Sequence, residues 1–209
     1  MKVTAIEELS KSRSKIYIDG EFAFVLYKGE LRLYRIKQGE EISDSVYTEI
    51  LGTVLSKRAK LRAMNLLKSR EYTEKQLYNK LKEGFYPENV IEEALAYVAS
   101  YHYTDDLRYA VSYIEAHEES RSRRRIEQDL MGKGISKTTL AQAFAQWEDQ
   151  GGSQNEGKMI RELLAKRRFD PENADAKEFQ KTYAFLMRKG FSAESIRKEM
   201  KNCSFFDYN

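Results

Sequence analysis

"EQDLMGKGISKTTL", Glu127 to Leu140, is the stretch on which the fold turns. Its glycines, lysines and threonines invite comparison with a phosphate-binding loop. Such a loop needs a glycine, four intervening residues and then Gly-Lys-Ser/Thr, so that backbone N–H groups surround phosphates and the hydroxyl reaches a metal. Here Gly134 follows Lys133, and the position five before Gly132 is Glu127, so the spacing fails. The context fails as well. A phosphate loop follows a buried strand, whereas Ile126 and Leu130 stand at i and i+4, as on one side of a helix.

The stretch is one of three. "LYNKLKEGFYPENV" and "YAFLMRKGFSAESI" align with it when Gly84, Gly134 and Gly190 are superposed. In each, an apolar helix ends at the glycine, a large apolar residue follows (Phe85, Ile135, Phe191), and another apolar position falls six after the glycine (Val90, Leu140, Ile196). Glycine just beyond a helix end tolerates the left-handed conformation there, and the next apolar side chain folds back onto the helix. Ser136 and Ser192 then stand ready to cap the following helices. The first copy departs slightly, because Leu81 precedes its glycine by three residues while Leu130 and Leu186 precede theirs by four. Spacings of about 50 residues are those of helical repeats.

The punctuation around these units is helical. Thr73 to Gln76 reads as a capping box with Tyr72 and Leu77 as a hydrophobic staple, and Pro87 suits a first helical turn. Thr104 precedes Asp105 and Asp106, acidic residues that favour a helix N-terminus. Gly151-Gly152 breaks the chain, Ser153 to Glu156 offers a further capping box, and Asp170-Pro171 a further start. About nine helices result. The first 45 residues differ. "KIYIDGEFAFVLY" is two alternating runs joined by Asp19-Gly20, a hairpin turn signal, with Ile16 and Ile18 on one face of the first strand and Phe22, Phe24 and Leu26 on one face of the second. Val3 to Leu9 adds a third strand, and so small a sheet must pack on the helices. The expected fold is mainly α: three tandem three-helix units over 46–103, 104–152 and 153–209, elongated and curved, behind a β extension over 1–45.

Composition narrows the function. The 209 residues carry 36 basic and 33 acidic side chains, a formal charge of +3, so nucleic-acid contact is confined to local patches. One cysteine, Cys203, leaves no disulfide framework and fits a reducing cytosol. Charges interrupt every apolar run of the N-terminus, and no segment has the length of a membrane span. A soluble, cytoplasmic protein is expected.

"LLKSREYTEKQLYNKLKEGF", "YTDDLRYAVSYI" with "IEQDLMGKGISKTTL", and "YAFLMRKGFSAESIRKEM", in this order, resemble the bacterial RecX family, regulators of the recombinase RecA. The likeness runs over essentially the whole chain, and "IYIDGEFAF" is similar to an extension present in some members only. It implies a non-enzymatic modulator acting as a monomer without a cofactor. Such a protein binds RecA and lodges in the groove of the RecA filament on single-stranded DNA, with weak direct contact to nucleic acid. It inhibits ATP hydrolysis, strand exchange and coprotease activity by blocking filament extension or promoting disassembly. Three-helix units also resemble helix-turn-helix modules, so an autonomous DNA-binding protein is the alternative.

Basic clusters are the candidate contact residues. In "SRSRRRIEQDL", with Ile126 inward and about 100° per residue, Arg121, Arg124 and Arg125 fall on the outer side and Arg123 near the apolar stripe. Arginine suits bidentate contact to phosphate or carboxylate; the plain alternative is a solvated face in which Asp129 pairs with Arg125. Lys133 and Lys137 follow. Lys57, Arg58, Lys60 and Arg62, and Arg197, Lys198 and Lys201, extend the basic track or are ordinary helix-surface charge. Lys166, Arg167 and Arg168 read as dipole compensation at a helix end. Tyr72, Tyr78, Phe85, Tyr97, Tyr101 and Tyr103 read as core rather than as a base-stacking platform, and Trp147 as an anchor between units. His102 and His117 lack metal-ligand spacing, and Asp105 and Asp106 read as a helix cap rather than a nuclease metal pair, so neither a metal nor a catalytic residue is expected.

Overall fold

Three antiparallel strands, β1 (Val3–Ser10), β2 (Arg13–Ile18) and β3 (Glu21–Tyr27), open the chain and lie in the order β1-β2-β3. Asp19 and Gly20 join the last two with φ of 51° and 92°, the paired positive angles of the tight turn that Asp-Gly signals. Ser14, Ile16 and Ile18 alternate inward on β2 as their period demands. On β3 the expectation for Phe22 needs correction. Ile16 pairs with Phe24 but Tyr17 with Phe22, so Ala23 is an extra residue in the strand. This bulge turns Phe22 out to 41% exposure, against the Tyr17 ring, while Phe24 and Leu26 stay fully buried. The computed structural model describes residues 1–202; Cys203 lies outside the described residues.

A short helix unanticipated from the sequence, α1 (Lys28–Leu33), follows the sheet, and then comes a helical run made of α2 (Asp44–Glu49), a π-helical turn (Ile50–Leu55) and α3 (Ser56–Leu67). The π turn has a plain cause. Ile50, Leu55, Ala59 and Ala63 are all buried, and their first spacing of five residues keeps one face only if one turn is widened. α4 (Glu74–Lys82) and α5 (Glu88–Ser100) complete the first three-helix set; α6 (Asp106–His117), α7 (Arg123–Gly132) and α8 (Lys137–Asp149) form the second; α9 (Glu156–Lys166), α10 (Ala176–Arg188) and α11 (Ala193–Asn202) form the third.

Several caps stand where the sequence places them. Thr73 and Gln76 exchange both capping-box bonds at 3.2 Å. Ser136 Oγ accepts from Thr139 N–H, and Ser192 Oγ from Ser195 N–H, each at 3.0 Å. Others moved. α9 is capped by Asn155, which accepts from Lys158 N–H at 2.9 Å, rather than by Ser153. Asp170 closes only a local turn on Glu172 and Asn173, and α10 starts later, behind Asp175.

The glycine alignment is also corrected in its first copy. Gly134 and Gly190 take φ of 96° and 90°, but in the first set the left-handed residue is Phe85, at 64°. The leucines explain this. Counting four residues from Leu81, Leu130 and Leu186 reaches Phe85, Gly134 and Gly190, so the helix end is measured from the buried leucine and not from the glycine. The next N–H returns to the leucine carbonyl in the first two sets, Tyr86 to Leu81 at 3.5 Å and Ile135 to Leu130 at 3.1 Å. Phe85 bears the unfavourable angle with its ring set edge-on to Phe22 at 6.2 Å and under the Lys15 ammonium at 4.8 Å. It thereby ties the helical turn to the sheet.

The chain divides into two compact units, Met1–Asp105 and Asp106–Asn209. In the first, the sheet and the first three-helix set share one buried cluster running from Val3 and Ile16 through Ile50 and Leu55 to Leu77, Ile91 and Val98. The second unit holds two clusters, one around Ile114, Ile126, Phe144 and Trp147, the other around Ile160, Leu186 and Ile196. Trp147 therefore belongs to the core of the second helix set. Its indole N–H donates to Glu118, and a Cβ on Gly152 would come within 2.2 Å of its ring, so it clamps the linker that follows α8.

Candidate partner-binding surface

α7 begins only at Arg123, because Ser122, fully buried, caps it by accepting from Arg125 N–H at 3.3 Å. Arg121 thus precedes the helix, and the helical projection that set it beside Arg124 and Arg125 does not apply to it. It reaches the same neighbourhood by another route. Its Nη1 donates to Tyr113 Oη at 2.7 Å and to Asp129 Oδ2 at 2.6 Å, while Arg125 Nη2 lies 3.0 Å from Asp129 Oδ1. One carboxylate, with its side chain only 15% exposed, holds both guanidinium groups. Lys133 lies 5.4 Å above the Tyr113 ring, on which His117 also stacks at 4.0 Å. Burial raises the Tyr113 hydroxyl above its ordinary pKa, and the Arg121 charge opposes that shift. Arg124 is exposed and makes no ion pair among the described residues.

The geometry is a fixed positive rim. Arg121, Arg125 and Lys133 are gathered by Tyr113 and Asp129, with Arg124 on the exposed side of the same helix. A carboxylate or phosphate arriving there meets forked donors already held in place. Tyr113 is the organising residue that sequence reasoning missed, since it comes from α6 and only the packed fold sets it beside α7; Asp129 was visible through its i+4 spacing. Arg123 sits near the apolar stripe as expected, its guanidinium 4.1 Å from the Phe144 ring centroid and bonded to Glu127 and Glu148. Lys137 is exposed in the first turn of α8 and makes no ion pair among the described residues.

The third helix set braces this rim. Ser122 N–H donates to Lys189 O at 3.2 Å, and a Cβ on Gly190 would stand 2.5 Å from Ser122 Oγ and 2.6 Å from Arg125 Cβ. Gln154 Nε2 donates to the carbonyls of Glu118 and Arg121 at 2.7 and 2.9 Å, fixing the loop that carries Arg121.

The other basic residues divide between exposed and engaged. Arg58 donates to Val25 O at 3.2 Å, pairs with Glu30 and covers the Tyr27 ring, so it pins α3 to the sheet and to α1. Lys60 pairs with Glu93 at 2.6 Å and holds that carboxyl below its ordinary value of 4.5. Lys57 and Arg62 are exposed without an ion pair among the described residues. So are Arg197, Lys198 and Lys201 on α11, where Glu199 turns inward to Arg161 at 2.7 Å. Of the aromatics, Tyr72 is buried and Tyr78 and Tyr97 pack on the core, but Tyr101 and Tyr103 are 57% and 49% exposed and stacked on each other. The core reading fails for these last two because they follow the end of α5, beyond its inward stripe. Among the described residues no group of three or more His, Asp or Glu side chains is close enough to hold a metal ion, and no helix is long and apolar enough to cross a membrane.

Three helix triplets in series, two of which close their middle helix on a left-handed glycine, with a small sheet packed on the first, define a tandem helical-repeat protein whose charged side chains gather on helix surfaces. The profiles of the first, second and third three-helix domains of RecX match residues 59–97, 105–143 and 156–200. The regulatory protein RecX of Caldanaerobacter subterraneus subsp. tengcongensis is 31% identical over 202 residues, 96% of this chain and 98% of that one. That of Clostridioides difficile is 28% identical over 211 residues, 98% and 97% of the two chains. A crystal structure of a regulatory protein RecX superposes with a TM-score of 0.59 at 26% identity, covering 96% of this chain. RecX from Lactobacillus salivarius, 20% identical with a TM-score of 0.55, shares the fold. The chain belongs to the RecX family of regulatory proteins.

Proposed function

We propose that this protein is a non-enzymatic regulator of RecA. It binds RecA and the groove of the RecA filament on single-stranded DNA, and lowers ATP hydrolysis, strand exchange and coprotease activity by blocking filament extension or promoting disassembly. The observation that carries this reading is the succession of all three RecX domains, each on its own helix triplet and in family order. The arginine rim of α7 is the contact surface that the geometry favours, because its donors are prearranged and lose little freedom on binding. The near-neutral net charge agrees with a protein partner supplemented by local phosphate contact.

The reading as an autonomous helix-turn-helix DNA binder is less well supported. α5 follows the turn of its triplet, as a groove-reading helix would, yet it exposes Glu88, Glu92 and Glu93 and contains no lysine or arginine. Such a face repels phosphate. The test is ATP hydrolysis by the cognate RecA on single-stranded DNA with this protein added substoichiometrically. Inhibition is expected, with replacement of Arg121, Arg124 and Arg125 by alanine weakening it about tenfold, roughly 1.4 kcal/mol of binding. Undiminished ATPase together with tight, sequence-selective duplex binding overturns the proposal.

A further inference from the structure

We propose that the N-terminal module carries a second protein-docking site, a shallow cleft on α1 that takes an acidic polypeptide segment bearing an apolar side chain. The cleft encloses about 420 Å³ and is lined by Leu31, Arg32, Arg35, Ile36 and Lys37. Its floor is aliphatic and its walls are cationic. Arg32 and Arg35 are exposed, and neither forms an ion pair among the described residues. Of the nearby carboxylates, Glu30 is engaged by Arg58 and Glu49 by the Tyr34 hydroxyl at 3.1 Å, whereas Glu40 pairs at 3.2 Å with Lys37 of the lining itself, which leaves Arg32 and Arg35 as the cations of the cleft without an ion pair among the described residues. Beside the two arginines stands Leu33, at 72% the most exposed large apolar side chain among the described residues.

Arg35 sharpens the case. It lies two residues beyond Leu33, just after the Tyr34 cap of α1, with φ of 52°, its N–H donating to Arg32 O while Ile36 N–H returns to Leu31 O at 2.9 Å. Glycine is the residue this position favours on conformational grounds. The turn fixes the backbone from which the Arg35 side chain leaves beside the cleft.

The occupant follows from the lining. Two unpaired guanidinium groups ask for carboxylates or phosphates. No aromatic ring lines the cleft, so a base has nothing to stack on, and a sugar–phosphate backbone has no use for Leu33 or for a floor of Leu31 and Ile36. Aspartates or glutamates interspersed with a leucine-like side chain satisfy both features at once, with charge steering the encounter and the apolar contact slowing release. This site shares no residue with the arginine rim of α7, and its test does not depend on RecA being the partner of that rim.

The experiment uses the full chain and fluorescence anisotropy with three labelled probes: an aspartate-rich peptide interrupted by leucines, the same peptide with serines in place of leucines, and oligo-deoxythymidine. The leucine-containing peptide is expected to bind, and the serine peptide several-fold more weakly. Arg32→Glu with Arg35→Glu should lower affinity about tenfold or more, and Leu33→Ser about threefold. Arg35→Gly separates binding from folding, since it relaxes the backbone: thermal stability should rise while peptide affinity falls. The proposal is overturned if the leucine peptide does not bind, if the oligonucleotide binds there instead and loses affinity in the double variant, or if Arg35→Gly binds the peptide as well as the unaltered chain.

Discussion

Asp129 receives Arg121 on one oxygen and Arg125 on the other, while Arg124, between them in sequence, stays in solvent. Their replacement should therefore have different consequences. Arg124→Ala removes a surface charge and is expected to leave the melting temperature unchanged while weakening RecA inhibition. Arg121→Ala deprives Asp129 and the Tyr113 hydroxyl of a shared donor, and should cost about 1 kcal/mol in denaturant unfolding, less than a buried pair because Arg121 is one-third exposed. Equal stability of the two variants would show that the network on Asp129 does not order the rim. A second test at this scale concerns Glu93, whose carboxyl the Lys60 bond holds below its ordinary value. A depressed carboxylate contributes stability above its unfolded pKa and loses it as pH falls through the folded one. Stability should thus fall as pH drops below the ordinary carboxylate value of 4.5, and Lys60→Ala should flatten that limb. An unchanged acid limb in Lys60→Ala would remove Glu93 from the account.

Among the elements, the turn of the third triplet differs from its counterpart in the second. Gly134 and Gly190 share a left-handed angle, so alanine at either meets a conformational cost of about 1–2 kcal/mol. Gly190 also stands where any Cβ would press on Ser122 and Arg125, and Arg125 N is a backbone atom of the capped first turn of α7. Gly190→Ala should therefore destabilise by about 3 kcal/mol or more and disturb the α7 cap, with Gly134→Ala nearer the lower figure. Chemical denaturation of the two variants decides it, and an equal cost at both sites would mean that the contact between triplets yields freely. The turns at Gly134 and Gly190, the Asp-Gly hairpin and the Thr73 box were legible because each depends on neighbours within a few residues. Phe22, Phe85 and the Asn155 cap were not. The bulge at Ala23, the contact of Phe85 with the sheet and the course of the linker after Trp147 are settled by packing between segments distant in sequence. The same holds for the candidate surface: its arginines were readable as a cluster, but Tyr113 and the bracing by Gly190 arise only when three helices and a turn meet.

At the scale of the molecule, the N-terminal strands and the first helix triplet bury one another. Of the nineteen buried side chains in their common cluster, seven (Val3, Ile16, Ile18, Phe24, Leu26, Ile36 and Ile42) precede the Ser43 cap of α2. Phe24 meets Tyr47, Phe22 meets Phe85, and Arg58 reaches back to Val25 O, so the contacts fall on α2, on α3 and on the turn after α4. Large side chains are worth about 1.5–3 kcal/mol each when buried. Even a fraction of that sum is comparable with the roughly 5–15 kcal/mol that hold a domain folded. A boundary drawn at residue 45 from the change in pattern therefore separates sequence styles within what folds as a single body. Removal of residues 1–42 is expected to abolish hydrogen-exchange protection across α3, α4 and α5, while α6 to α11, whose two clusters include no residue of the first unit, keep theirs. Inhibition of RecA by the truncated chain should fall accordingly, since the first RecX domain is lost with the sheet that covers it. Protection persisting in α3 to α5 after truncation would show that the triplet is self-sufficient and that the strands are an addition to it.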